Sequence, residues 1–165
     1  MNNNFQLKGL LLKFPPQLKK LLLFFVSALI FGFVMGMEIV YETTNFNSKG
    51  IEENFLGNEN NEDAETLIFK KSPREIRTMI HNHVLSLSVL FLVFSLLTLM
   101  SSLPKNIAYI LAIEPFISLF LTFGGVYFLW KGVIFMKYII FASGVLMSIT
   151  LIASLLFIIK DLLKK

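Results

Sequence analysis

One carboxylate stands alone among apolar residues. Residues 21–37, 84–103, 107–130 and 138–159 contain a single Asp, Glu, Lys, Arg or His between them, and it is Glu114. A charged side chain at the centre of a bilayer costs at least ~2.5–3.5 kcal/mol on insertion scales. Glu114 must therefore keep its proton or find polar company. At ~1.5 Å of rise per residue, Ser27, Ser95 and Thr150 fall near its depth if the four runs cross a membrane together. Glu114, Ser27, Ser95 and Thr150 are thus a candidate intramembrane proton or ion site. Pro115 follows directly and has no N–H to give, which frees a backbone carbonyl one turn earlier. No basic residue shares the level, so a tight ion pair is not expected.

A second set of groups gathers where the second apolar run begins. His81 and His83 are level with Met37 and Glu38 of the first run, and all four are candidate ligands. Imidazole with carboxylate or thioether neighbours suits copper, zinc or haem b. Residues i and i+2 of a helix lie ~200° apart, so the two rings cannot easily share one metal. His81 lies on a stripe with Ser88, Ser95 and Ser102 and is expected to face a bundle, whereas His83 is expected to face another helix or the headgroups. The plainer alternative is two amphipathic histidines that hydrogen-bond locally at the membrane edge.

Little else could do chemistry. There is no cysteine, which removes disulfides, thiolate metal sites and a thiol nucleophile. No Ser-His-Asp arrangement follows from spacing. Gly124-Gly125 lies inside an apolar run, where close packing explains it better than a phosphate loop. An enzyme is not expected.

The elements that must position these groups are read from composition. Of 165 residues, 55% are hydrophobic and only 16% charged, against about 25% charged in soluble domains. Crossing a core of ~30 Å takes ~20 apolar residues, and only hydrogen-bonded helices satisfy their backbone there. The expectation is one all-α membrane domain over residues 1–165, with spans at about 19–40, 80–103, 107–130 and 138–159. Short connections at Pro104–Asn106 and Lys131–Lys137 make the spans an antiparallel four-helix bundle. Before the first span, residues 1–18 carry leucines and phenylalanines interleaved with lysine, as in a short amphipathic interfacial segment. The first span has a basic lead but no small-x-small cleavage site, so it is expected to be retained rather than removed as a signal peptide.

Residues 41–79 form a polar loop of about forty residues. Gly57–Glu65 is acidic and Asn-rich, with nothing to bury, and is expected to be a mobile tip. Ser72-Pro73-Arg74-Glu75 offers a capping box with Pro at the first helical position, starting a short outer helical segment at Pro73–Ile80 that runs on into the second span. Lysine and arginine barely distinguish the two sides in total. The first span decides orientation, because Lys8, Lys13, Lys19 and Lys20 precede it and no base follows until Lys49. Both termini are expected in the cytoplasm, with the 41–79 loop outside. The net charge of +4 is explained by these anchors and does not point to nucleic acid.

Small residues mark where helices meet. Ala28, Gly32 and Gly36 recur every four residues in the first span, and Gly125 ends a stripe of Glu114, Ser118 and Thr122 in the third. Stripes of this kind let membrane helices approach closely. The fourth span carries Ser143, Met147, Thr150 and Ser154.

Gly50–Gly57, Phe69–Ser72, the His81-x-His83 pair with Ser86, Glu114-Pro115-Phe116 and Tyr127–Trp130 together resemble a group of uncharacterised small bacterial four-span membrane proteins with a His-x-His at the start of the second span. The likeness covers roughly residues 40 to 159. It implies a multi-pass protein of a bacterial inner membrane and carries no activity. Three roles follow for testing. The chain could be a non-catalytic accessory or assembly subunit, in contact with lipid and with other membrane subunits or its own copies. It could bind haem or copper through His81 and His83, or form a proton- or solute-coupled transport element centred on Glu114.

Overall fold

The computed structural model describes residues 7–59 and 66–164. Among these residues all regular structure is helical. After a 3₁₀ turn at Leu10–Lys13 come α1 (Pro16–Thr44), α2 (Ser48–Leu56), α3 (Pro73–Met100), α4 (Lys105–Trp130) and α5 (Met136–Leu163). Helices α1, α3, α4 and α5 are each long and apolar enough to cross a membrane.

The helix boundaries follow local chemistry. Pro16 starts α1 with a fixed helical φ. At the start of α3, Ser72 Oγ accepts the Glu75 N–H at 3.3 Å and Glu75 Oε2 accepts the Ser72 N–H at 2.7 Å, which completes the anticipated capping box. The expected short segment Pro73–Ile80 is simply the first two turns of this continuous helix.

Helix α2 was not anticipated from the polar loop. Asn47 caps it by accepting the Gly50 N–H at 2.7 Å. Ile51 and Phe55, one turn apart, are its buried face. They close one end of the bundle, packing with Ile76, Val126, Leu129 and Ile140. The following loop is held by Asn58, whose N–H donates to the Ile68 carbonyl and whose Oδ1 accepts the Ile68 N–H. The expected mobile tip at Gly57–Glu65 falls largely on residues 60–65, outside the described residues.

The opposite end carries both ends of the described chain. The 3₁₀ turn, part of the stretch expected to be an amphipathic interfacial segment, packs one side into the bundle. Leu11 is fully buried with Val26, Phe94, Leu97, Leu155 and Ile158, and the Gly9 N–H donates to the Ser101 carbonyl at 2.9 Å. A buried leucine is favoured by ~1.5–3 kcal/mol over an exposed one. Lys19 Nζ reaches the Lys164 carbonyl beside it, at 2.8 Å.

Helices α3, α4 and α5 form the packed core, with α4 antiparallel to both neighbours. Helix α1 rests on α5 and α2 at the margin. Only 6% of its apolar stretch is buried, against 28% in each other span.

Candidate functional site

Two contacts fix the register of α4 against α5. The Thr122 and Ser143 hydroxyls hydrogen-bond at 2.7 Å, and Gly125 lies directly under the Ile140 side chain. Both pairs have residue numbers that sum to 265, so an antiparallel register continued down the helices sets Pro115 against Thr150 and Leu111 against Ser154. The serine and small-residue stripes read from sequence therefore meet, and Gly125 is a packing glycine: a β-carbon there would come 2.9 Å from Ile140 Cγ1.

A parallel register ties α3 to α5. The Asp161 carboxylate accepts the Ser102 N–H at 2.5 Å and the Ser102 hydroxyl at 2.8 Å. Two turns back on each helix, this offset of 59 sets Ser95 level with Ser154. Ser95 spends its hydroxyl on the Ala112 carbonyl of α4 at 2.7 Å.

Glu114 sits at this level. Its Oε1 accepts the Ser118 hydroxyl one turn on, and Ser118 is fully buried. Its Oε2 is buried without a hydrogen-bond partner, and so is the Ser154 hydroxyl oxygen. Thr150 is buried nearby. Of the residues expected to join Glu114, Ser95 and Thr150 lie in the same three-helix core, but Ser27 does not. Its hydroxyl folds back onto the Leu23 carbonyl of its own helix at 2.8 Å, and the residue is exposed on α1. Depth along a helix sets a level but not a direction, and α1 stands off the core. Ser118 and Ser154 take its place. Both lay on the sequence stripes: Ser118 bonds Glu114 one turn along α4, and the α4–α5 register sets Ser154 near the same level.

The histidine constellation is not drawn together. His81 is exposed rather than turned into the bundle. A seven-residue repeat drifts ~20° per heptad on a straight helix, so over the two heptads from the buried Ser95 the stripe rotates about 40° off the core. His83 donates its Nδ1–H to the Met79 carbonyl at 2.9 Å, and its ring lies 5.2 Å from the Phe123 ring of α4. Met37 turns to α5, where the Ser148 hydroxyl approaches its sulfur at 3.9 Å, and Glu38 is exposed. Among the described residues, no three His, Asp or Glu side chains converge as a metal site.

Among the described residues, the Ala28-Gly32-Gly36 stripe meets no other helix. All three residues are exposed, and a β-carbon at Gly32 or Gly36 would find nothing within 4 Å.

Two polar links lay beyond sequence reasoning. One is the Asp161–Ser102 pair. The other is the ion pair of Lys137 with Glu52 at 2.5 Å, which fastens α2 to the start of α5. Close by, the Trp130 indole N–H donates to the Lys71 carbonyl at 2.8 Å, with Lys131 and Lys70 against its ring.

Compared with known families, residues 45–165 match a model described as Aq_1264_TM, a transmembrane helical domain. The match begins where α1 ends and takes in α2 to α5. No curated protein and no solved structure matches the chain.

Proposed function

Because the chain belongs to the Aq_1264_TM family of transmembrane helical domains, and is thus a multi-pass membrane protein in contact with the bilayer, we propose that it serves as a non-catalytic subunit of a larger membrane assembly. We place its termini in the cytoplasm of a bacterial inner membrane, as the lysines ahead of α1 favour. The observation that carries the reading is the exposure of α1. This span lies outside the family match, buries 6% of its apolar stretch, and leaves Ala28, Gly32 and Gly36 uncovered.

Lipid is as apolar as leucine, so burial of greasy surface does not drive helices together in a bilayer. Close contact along small residues does. An uncovered stripe of that kind, on a span the core hardly holds, fits a transmembrane helix of a different protein.

The test is photo-crosslinking in native membranes from Gly36 and, on another face, Phe31. The reading expects one discrete adduct with a second polypeptide from Gly36. With the probe kept at position 36, Ala28→Leu with Gly32→Leu should abolish it without lowering the unfolding midpoint of the purified protein. A monomer with no adduct, an adduct containing only a second copy of this chain, or an adduct indifferent to the leucines would overturn it.

A further inference from the structure

The α3–α5 core holds two buried oxygen atoms without partners, Glu114 Oε2 and Ser154 Oγ. A buried polar group left unpaired is costly in a protein interior, so two of them on facing helices call for a common explanation. A third oxygen lies at the level of Ser154. Pro115 has no N–H, so the Leu111 carbonyl lacks its usual donor four residues on, and the α4–α5 register sets Leu111 against Ser154. Thr150 faces Pro115 in the same register and is buried. By this register four oxygens (a carboxylate, two hydroxyls and a carbonyl) belong to residues within about one helical turn of the same level along the α4–α5 seam.

The charges around them limit the occupant. On α3 the nearest titratable group is His83, three turns away, and on α5 they are Tyr138 and Lys137 at one end and Lys160 and Asp161 at the other. On α4 they are Tyr109 and Lys105 towards one end and Tyr127 towards the other. None shares the level, so nothing in the chain neutralises a Glu114 carboxylate there. One bound positive charge balances it. A divalent ion would leave an excess charge in an apolar interior, and an anion would be repelled. Carboxylate, hydroxyl and carbonyl oxygens are hard ligands that suit hard cations.

We propose that Glu114 Oε2, Ser154 Oγ, the Leu111 carbonyl and Thr150 form a binding site for a monovalent alkali cation of the sodium class inside the three-helix core. The site is independent of any partner docked on α1.

Thermal unfolding of the full chain in detergent tests it, with sodium chloride exchanged for N-methylglucamine chloride at constant ionic strength. The expected result is a midpoint that rises with sodium and saturates. Glu114→Gln should lose the sodium-dependent rise, and Ser154→Ala should need at least tenfold more sodium. Radioactive sodium binding to the unaltered protein gives a direct reading if Glu114→Gln does not fold. A midpoint that responds to acid but not to sodium would mean that a proton alone fills the role. That result, an equal response to both salts, a Glu114→Gln protein that keeps its sodium response, or no measurable sodium binding would each overturn the proposal.

Discussion

The Asp161 carboxylate holds both the backbone N–H and the hydroxyl of Ser102, 59 residues earlier in the chain. Asp161 is fully buried, and the bonds tie the last turn of α5 to the turn between α3 and α4. Replacing Asp161 by Ala leaves two donors without an acceptor, at about 1–3 kcal/mol for each buried donor unpaired. The expected outcome is a clear drop in the unfolding midpoint in detergent. Asp161→Asn, which keeps one acceptor oxygen, should lose less. Ser102→Ala should lose least, because the backbone N–H keeps its partner. An unchanged midpoint for Asp161→Ala would contradict the arrangement.

A second expectation separates glycines that are required from one that is free. A β-carbon at Gly50 would lie 2.0 Å from the Thr44 carbonyl oxygen, in the tight reversal between α1 and α2. That neighbour is backbone and cannot swing aside, so Gly50→Ala should displace α2 and destabilise the protein. At Gly32 the same methyl meets nothing, and Ala is the better helix former by about 1 kcal/mol. Gly32→Ala should therefore leave the isolated protein as stable or slightly more so. Hydrogen exchange over Ser48–Leu56 reads the first effect, and the unfolding midpoint reads both.

The four spans were legible because length and the absence of charge are properties of a segment by itself. What was not legible depends on direction around a helix axis. Ser27 has the right depth for Glu114, but α1 stands away from α4, so depth alone grouped it wrongly. His81 shares a seven-residue spacing with Ser95 and Ser102, yet slow rotation along α3 carries it to the surface. Helix α2 was hidden for another reason. Its apolar residues amount to one turn's worth, Ile51 and Phe55 with Leu56, and they become a signal only when the end of the bundle offers them a surface.

The same physics gives a third expectation, at the end that carries both ends of the described chain. Leu11 is fully buried although it belongs to a single 3₁₀ turn. Leu11→Ala should cost about 2–5 kcal/mol if the tail is part of the folded core, and should speed exchange of the Gly9 N–H that bonds Ser101. A tail that merely rested on the membrane surface would show neither effect.

The opposite cap is held by two unlike forces, and charge reversal can separate them. Ile51 and Phe55 supply apolar contact, while Glu52 meets Lys137 at 2.5 Å. Trp130, the single tryptophan, packs against this cluster and bonds the Lys71 carbonyl, so its emission reports on the cap without a label. Glu52→Lys or Lys137→Glu alone sets like charges face to face. Each should shift Trp130 emission to the red and speed exchange in α2. The double reversal restores an attractive pair and should return both readings towards their original values. High salt should shrink the difference between single and double variants, because this pair lies near solvent and is screened. If the apolar contacts alone hold α2, single reversals will leave the emission where it was, and the ion pair will have no part in closing the bundle.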